Sequence, residues 1–132
     1  KLIQKLIEDN PQQLNIVSVP GPSAVTAAAS ISGFPMDKFV FLGFPPAKKK
    51  RKKFFEEVIN SKYPVIFYES PYRIVKTLTE LKETKPGLLL VVCRELTKKF
   101  ETIYRVNIEK VTEEIKRDKI KGEFVVIVNA KK

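Results

Sequence analysis

The chain has no histidine, a single cysteine and only five glycines. Without histidine, Ser–His–Asp and Cys–His nucleophilic schemes are excluded, and so are His-ligated metals and an imidazole base. Cys93, standing alone, can form neither an internal disulfide nor a cysteine-cluster zinc site, and suits a reducing compartment. No metal site is expected. Neither a P-loop nor a G-x-G-x-x-G fingerprint is present. No run of about 18 apolar residues is available to span a membrane, and no signal peptide opens the chain. Repeats, low-complexity segments and interdomain linkers are also missing.

What the sequence does contain is positive charge and alternating apolar segments. Its 132 residues suit one domain with a real core. Lys plus Arg number 25 against 15 Asp plus Glu, a formal net charge of +10. Such an excess points to a polyanionic partner such as nucleic acid, or to a solvated lysine-rich surface. In chain order, Leu2 to Glu8 reads as an amphipathic helix already in mid-pattern, stopped at Asn10-Pro11. Leu14 to Val19 reads as a first strand, and Ser23 to Ser32 as a helix ended by Gly33. Phe39 to Leu42 is a second apolar run, followed by a helix from about Lys48 to Asn60. Val65 to Tyr68 reads as a strand and Pro71 to Leu81 as a helix opened by its proline.

Leu88 to Cys93 is apolar throughout, as a central strand covered on both faces requires. Thr102 to Val106 reads as a strand, Val111 to Lys116 as a short helix and Phe124 to Val128 as the last strand. Strands alternating with helices define an α/β class. The expected architecture is a single three-layer α/β domain with a mixed, mostly parallel sheet of about five strands. The short step from Cys93 to Thr102 leaves no room for a crossover helix and requires one antiparallel pair.

Four places could carry chemistry. The turn Pro20, Gly21, Pro22 and Ser23 joins strand to helix; it is either a tight connector capped by Ser23 or a ligand-binding junction. Lys48, Lys49, Lys50, Arg51, Lys52 and Lys53 put six cations at a helix N-terminus, against the macrodipole. That cost is offset if the run meets phosphates. Tyr68-Glu69-Ser70-Pro71-Tyr72-Arg73 lies at a strand's carboxyl end, where α/β sheets collect binding residues, or where Ser70 simply caps a helix. Arg94-Glu95-Leu96-Thr97-Lys98-Lys99 follows the most apolar strand and suits a cleft or an ion-pair network.

Together these segments resemble one family. Val-Pro-Gly-Pro-Ser-Ala at 19–24, the Phe-x-Phe-x-Gly-Phe at 39–44, Tyr-Glu-Ser-Pro-Tyr-Arg at 68–73, Arg-Glu-Leu-Thr-Lys-Lys-Phe-Glu at 94–101 and Lys-Gly-Glu-Phe-Val-Val-Ile-Val at 121–128 stand in its order. The chain is similar to the ribosomal RNA small subunit methyltransferase I family, within the tetrapyrrole methylases. The resemblance implies a cytoplasmic, homodimeric enzyme that uses S-adenosylmethionine. Its substrate would be the ribose 2′-hydroxyl of a cytidine in 16S RNA of the small ribosomal subunit. The family's N-terminal donor loop and its aspartate–glycine–threonine-type motif are not in this sequence. Residues 1–132 are therefore expected to be the C-terminal domain, inactive or nearly so alone.

By the same resemblance, Pro20, Gly21, Pro22, Ser23, Tyr68, Glu69 and Leu96 would border the methyl donor. Glu95 and Lys98 would orient or activate the hydroxyl, with Glu69 a further candidate base. Arg73 and Arg94 would face RNA together with the cation run. Methyl transfer needs in-line approach and exclusion of water, and a ribose hydroxyl needs help in losing its proton. Two other readings stand beside this one: a methyltransferase acting on a corrin or porphyrin precursor, and a non-catalytic RNA-binding or dimerisation module.

Overall fold

The structure, a computed structural model, describes residues 1–11, 14–118 and 120–131. Its elements run α1 (Leu2–Asp9), α2 (Ala24–Ile31), β1 (Val40–Phe41), α3 (Arg51–Asn60), β2 (Val65–Glu69), α4 (Ile74–Thr84), β3 (Leu89–Arg94), β4 (Thr102–Asn107), α5 (Ile108–Arg117) and β5 (Phe124–Asn129). The five strands form one sheet in the order β1-β2-β5-β3-β4.

Alternating side chains divide the core in two. Phe67, Leu90, Val92, Val126 and Val128 point to one face, where Phe55, Ile74, Leu78, Leu81 and Ile115 from α3, α4 and α5 cover them. Ile66, Val91, Cys93, Val125 and Ile127 point to the other, packed by Ala28, Ala29 and Val25 of α2 with Phe34 and Met36. The helices are amphipathic at the period this requires. Ile74, Thr77, Leu78 and Leu81 of α4, and Ile108, Val111, Thr112 and Ile115 of α5, fall at i, i+3, i+4 and i+7 and are buried. Each fully buried Phe, Leu or Ile contributes about 1.5–3 kcal/mol. The α/β class and the mixed five-stranded, three-layer arrangement are as read from the sequence.

The expectation of a mostly parallel sheet needs correction. Only β1 and β2 pair in parallel, whereas β2–β5, β5–β3 and β3–β4 are all antiparallel. The physical reason is that β5, last in the chain, enters between β2 and β3 and runs against both. The step from β3 to β4, too short for a crossover, supplies the third antiparallel pair.

Leu14 to Val19 is likewise not a strand. It pairs with nothing among the described residues, and Val17 and Val19 are 74% and 88% exposed. Apolar composition there marks a surface suited to cover rather than a ladder already made. The same holds for α1, which buries no residue and exposes Leu2, Ile3 and Ile7. Pro71, expected to open a helix, instead starts a turn in which Ser70 O accepts from the backbone N–H of Arg73 (3.1 Å) and Ile74 (3.0 Å), so α4 begins three residues later.

Candidate functional site

Strand register brings the chemistry to one end of the sheet. Glu69 of β2 lies opposite Phe124 of β5, and Phe124 lies opposite Arg94 of β3. The carboxyl ends of β2 and β3 and the amino end of β5 therefore share one edge. The loops leaving that edge are Ser70–Arg73, Glu95–Glu101 and Lys121–Glu123. Between the first and the last of these lies a cleft of about 420 Å3, lined by Phe44, Tyr68, Glu69, Ser70 and Pro71, by Glu123, Phe124 and Val125, and by Ala24 at the start of α2. Its aromatic wall is preassembled: Tyr68 sits edge-on to Phe41 at 5.0 Å and tilted against Phe44 at 5.4 Å.

Glu69 is buried at the cleft floor. Its Oε1 accepts from Ser70 N (2.7 Å) and faces Arg73 Nε at 3.1 Å, while its Oε2 accepts from the Thr77 hydroxyl at 2.7 Å. A buried carboxylate requires such partners, and here both oxygens have them. Glu69 is thus committed to structure and is a poor candidate base. Thr77 in turn accepts from Arg51 Nη2 at 2.9 Å. Arg51 is itself buried, only 6% exposed; its Nε donates to Glu80 Oε2 at 2.8 Å and its Nη1 to Pro46 O at 2.8 Å. The polar chain Glu80–Arg51–Thr77–Glu69–Arg73 runs beneath the cleft from α3 to the loop after β2.

The loop after β3 is tied to the start of β5. Glu95 and Thr97 adopt positive φ (48° and 66°), uncommon for side-chain-bearing residues. Glu95 N donates to Glu123 O (2.9 Å), and Glu123 N returns a bond to Glu95 Oε1 (2.9 Å). Lys98 Nζ bridges Glu95 Oε1 at 3.1 Å and Glu123 Oε2 at 3.0 Å. The Glu123 N–H holds the Glu95 carboxyl below its ordinary pKa, and Lys98 adds to the effect. Bonding to Glu123 first and Glu95 second raises the Lys98 ammonium above its own. Glu95 is accordingly a weak base, and Lys98 a cation rather than a proton acceptor.

Of the residues singled out in the sequence, Tyr68 and Glu69 line the cleft directly. Leu96 packs in the same apolar cluster as Tyr68. Pro20, Gly21, Pro22 and Ser23 are exposed, and it is the next residue, Ala24, that borders the cleft. Ser23 stands at the N-cap position of α2, yet its side chain makes no capping bond. Arg73 reaches back to Glu69, whereas Arg94, on the same sheet face as Glu69 and Phe124, donates to Lys121 O at 3.1 Å with Asp118 at 3.8 Å. Lys48, Lys49, Lys50, Lys52 and Lys53 are exposed, and Arg51 leaves the run for the interior. Phe44, Thr77 and Glu123 are functional residues that the sequence alone does not single out. Phe44 and Glu123 stood inside quoted motifs, and Thr77 shares the helical phase of Ile74 and Leu81.

A family model described as Tetrapyrrole (Corrin/Porphyrin) Methylases matches residues 2–112. The ribosomal RNA small subunit methyltransferase I of Hydrogenobaculum sp. is 42% identical over 132 residues, covering 98% of this chain and 55% of that protein. Its Thermotoga maritima counterpart is 34% identical over 113 residues, 86% of this chain and 51% of that one. The chain thus spans about half the length of these curated relatives. Among solved structures, the methyltransferase CobJ superimposes with a TM-score of 0.64 at 24% identity, over 96% of this chain and 56% of that one. The cobalt precorrin-4 methyltransferase CbiF does so with 0.66 at 16% identity, over 97% and 57%. These two likenesses concern the fold. With a family model matched across most of its length, this chain belongs to the tetrapyrrole (corrin/porphyrin) methylases.

Proposed function

We propose that residues 1–132 form the C-terminal α/β domain of an S-adenosylmethionine-dependent methyltransferase that modifies the ribose 2′-hydroxyl of a cytidine in 16S ribosomal RNA. The observation that carries this reading is the meeting, at one sheet end, of an apolar cleft with two cationic features. One is Lys98 on the loop after β3; the other is the exposed Lys48–Lys50 segment, which follows four residues after the cleft residue Phe44. The names of the curated relatives support an RNA substrate over a tetrapyrrole acid, and small acids do not call for a lysine run of this density.

The cleft suits part of the donor. Its volume lies within the range of about 300–1,000 Å3 usual for ligand pockets, and it offers aromatic faces and a carboxylate edge, which favour a cation. When bound, S-adenosylmethionine supplies an electrophilic methyl group. Phe44 and Tyr68 would flank it, and Glu123, the exposed carboxylate of the rim, would face it. Lys98, held protonated, orients the ribose hydroxyl and offsets developing negative charge. Glu95 holds Lys98 in place rather than taking the proton, which would pass from the ribose oxygen to water at the open rim as that oxygen gains the methyl group. The substrate reading places the enzyme in the cytoplasm. The exposed apolar residues of α1 and of Leu14–Val19 suit burial against another folded unit, whether a donor-binding domain or a second copy. Alone, the chain is expected to lack turnover.

Phosphate contact has a signature in salt. Binding of a 16S RNA fragment to the intact protein is expected to weaken linearly on a log–log salt plot. Changing Lys48, Lys49 and Lys50 together to Gln is expected to flatten the slope by about two, at roughly 0.7 per single-stranded phosphate contact. A slope equal to that of the wild type would show that the three lysines are only solvated.

A further inference from the structure

Arg51 differs from the other five members of the cation run in burial and in hydrogen bonding. It is buried, whereas Lys48, Lys49, Lys50, Lys52 and Lys53 are exposed. Its guanidinium closes a loop on itself: Nη1 donates to Pro46 O across the exposed segment Ala47–Lys50, at 2.8 Å. The same group donates through Nε to Glu80 Oε2 (2.8 Å) and through Nη2 to Thr77 Oγ1 (2.9 Å). Lys50, the residue before it, sits at φ 66°, a left-handed conformation that persists in a lysine only where its surroundings impose it. Five fixed N–H donors on a plane can satisfy three acceptors at once; an ammonium on a flexible stem cannot reproduce that fork.

We infer that Arg51 is the positioning residue for nucleic-acid recognition: it makes no contact with RNA itself and holds the Pro46–Lys50 loop in the shape that presents Lys48, Lys49 and Lys50. Through Thr77 and Glu69 it also joins that loop to the cleft floor, so phosphate capture and cleft geometry share one frame. The inference deepens the RNA reading and rests on it. An ordered loop loses less freedom on binding than a slack one, which is how a buried residue raises affinity for a ligand it never meets.

The test uses Arg51→Lys and Glu80→Ala in the intact protein, with a fluorescein-labelled 16S RNA fragment as probe. Binding is read by anisotropy over a salt series, below the thermal midpoint of each variant. Arg51→Lys keeps the charge, and is expected to weaken binding about tenfold while leaving the salt slope unchanged, because ordering cost changes and phosphate count does not. Glu80→Ala removes a negative charge, which by simple electrostatics would tighten binding; loss of the anchor instead predicts weaker binding. Glu80 is partly exposed, so its variant decides the matter even if Arg51→Lys fails to fold. Wild-type affinity in both variants, or tighter binding by Glu80→Ala, would overturn the inference. A wild-type protein with no salt-dependent RNA affinity would overturn the RNA reading together with it.

Discussion

A Gly122→Ala variant is expected to be destabilised well beyond the cost of its backbone conformation, and to lose donor affinity with it. Gly122 stands at φ 89°, where a side-chain-bearing residue pays about 1–2 kcal/mol. The larger effect is steric. A Cβ at this position falls on the carboxyl end of the Glu95 side chain. Glu95 can yield only by leaving Glu123 N and Lys98 Nζ, the bonds that fasten the loop after β3 to the edge of β5. That fastening holds Glu123, which lines the cleft, so binding and stability are expected to fall together.

Gly87 provides the control. It too has a positive φ, 71°, but a Cβ there meets nothing within 4 Å. Gly87→Ala should therefore show the backbone cost alone. Paired thermal melts of the two variants check this, and a Gly122→Ala loss no larger than that of Gly87→Ala would contradict the account. Glu95→Ala in the Gly122→Ala background should restore part of the stability, because the obstructing side chain is gone. Additive effects would contradict the proposed clash.

The second large effect concerns Glu69. Replacing it with Ala leaves the Ser70 N–H, the Thr77 hydroxyl and the Arg73 guanidinium without their common acceptor. Breaking a buried charged pair costs about 3–5 kcal/mol. Because the Arg73 side chain is 29% exposed and can recover water, the expected loss is near the bottom of that range, about 3 kcal/mol. Glu69→Gln should cost less, since the amide keeps the shape and one acceptor. Urea denaturation of the two variants checks the order. Equal losses would show that the charge is immaterial, and a Glu69→Ala loss below about 0.5 kcal/mol, the usual size of a surface effect, would contradict the reading of a buried hub.

Helical and buried-strand segments were the most legible parts of the sequence. Leu88–Cys93 and Phe124–Val128 are continuous apolar runs, and they form adjacent strands covered on both faces. The site was legible as motifs at strand ends, because Glu69 and Glu95 follow runs whose ends the sheet must align. Two things were not. Strand direction depends on where β5 inserts, a long-range choice that no local pattern encodes. The fate of Leu14–Val19 depends on what covers it, since β-propensity describes a surface that packs well and not the presence of a partner.

Arg51 lay between these cases. Read as composition, it is one cation in six. Read by phase, it shares a helix face with Phe55 and Val58 at i+4 and i+7, and that face is buried. The signal was present in the spacing, but the charge run obscured it.

The proposed activity is methyl transfer to a ribose hydroxyl of ribosomal RNA. The most direct measurement incubates the intact protein with isotopically labelled S-adenosylmethionine and unmodified small ribosomal subunits, then digests the RNA to nucleosides for mass spectrometry. The account predicts label in 2′-O-methylcytidine, and its loss when Lys98 is replaced by Met. Label on a base, label only on an added tetrapyrrole, or undiminished transfer by the Lys98→Met variant would contradict it.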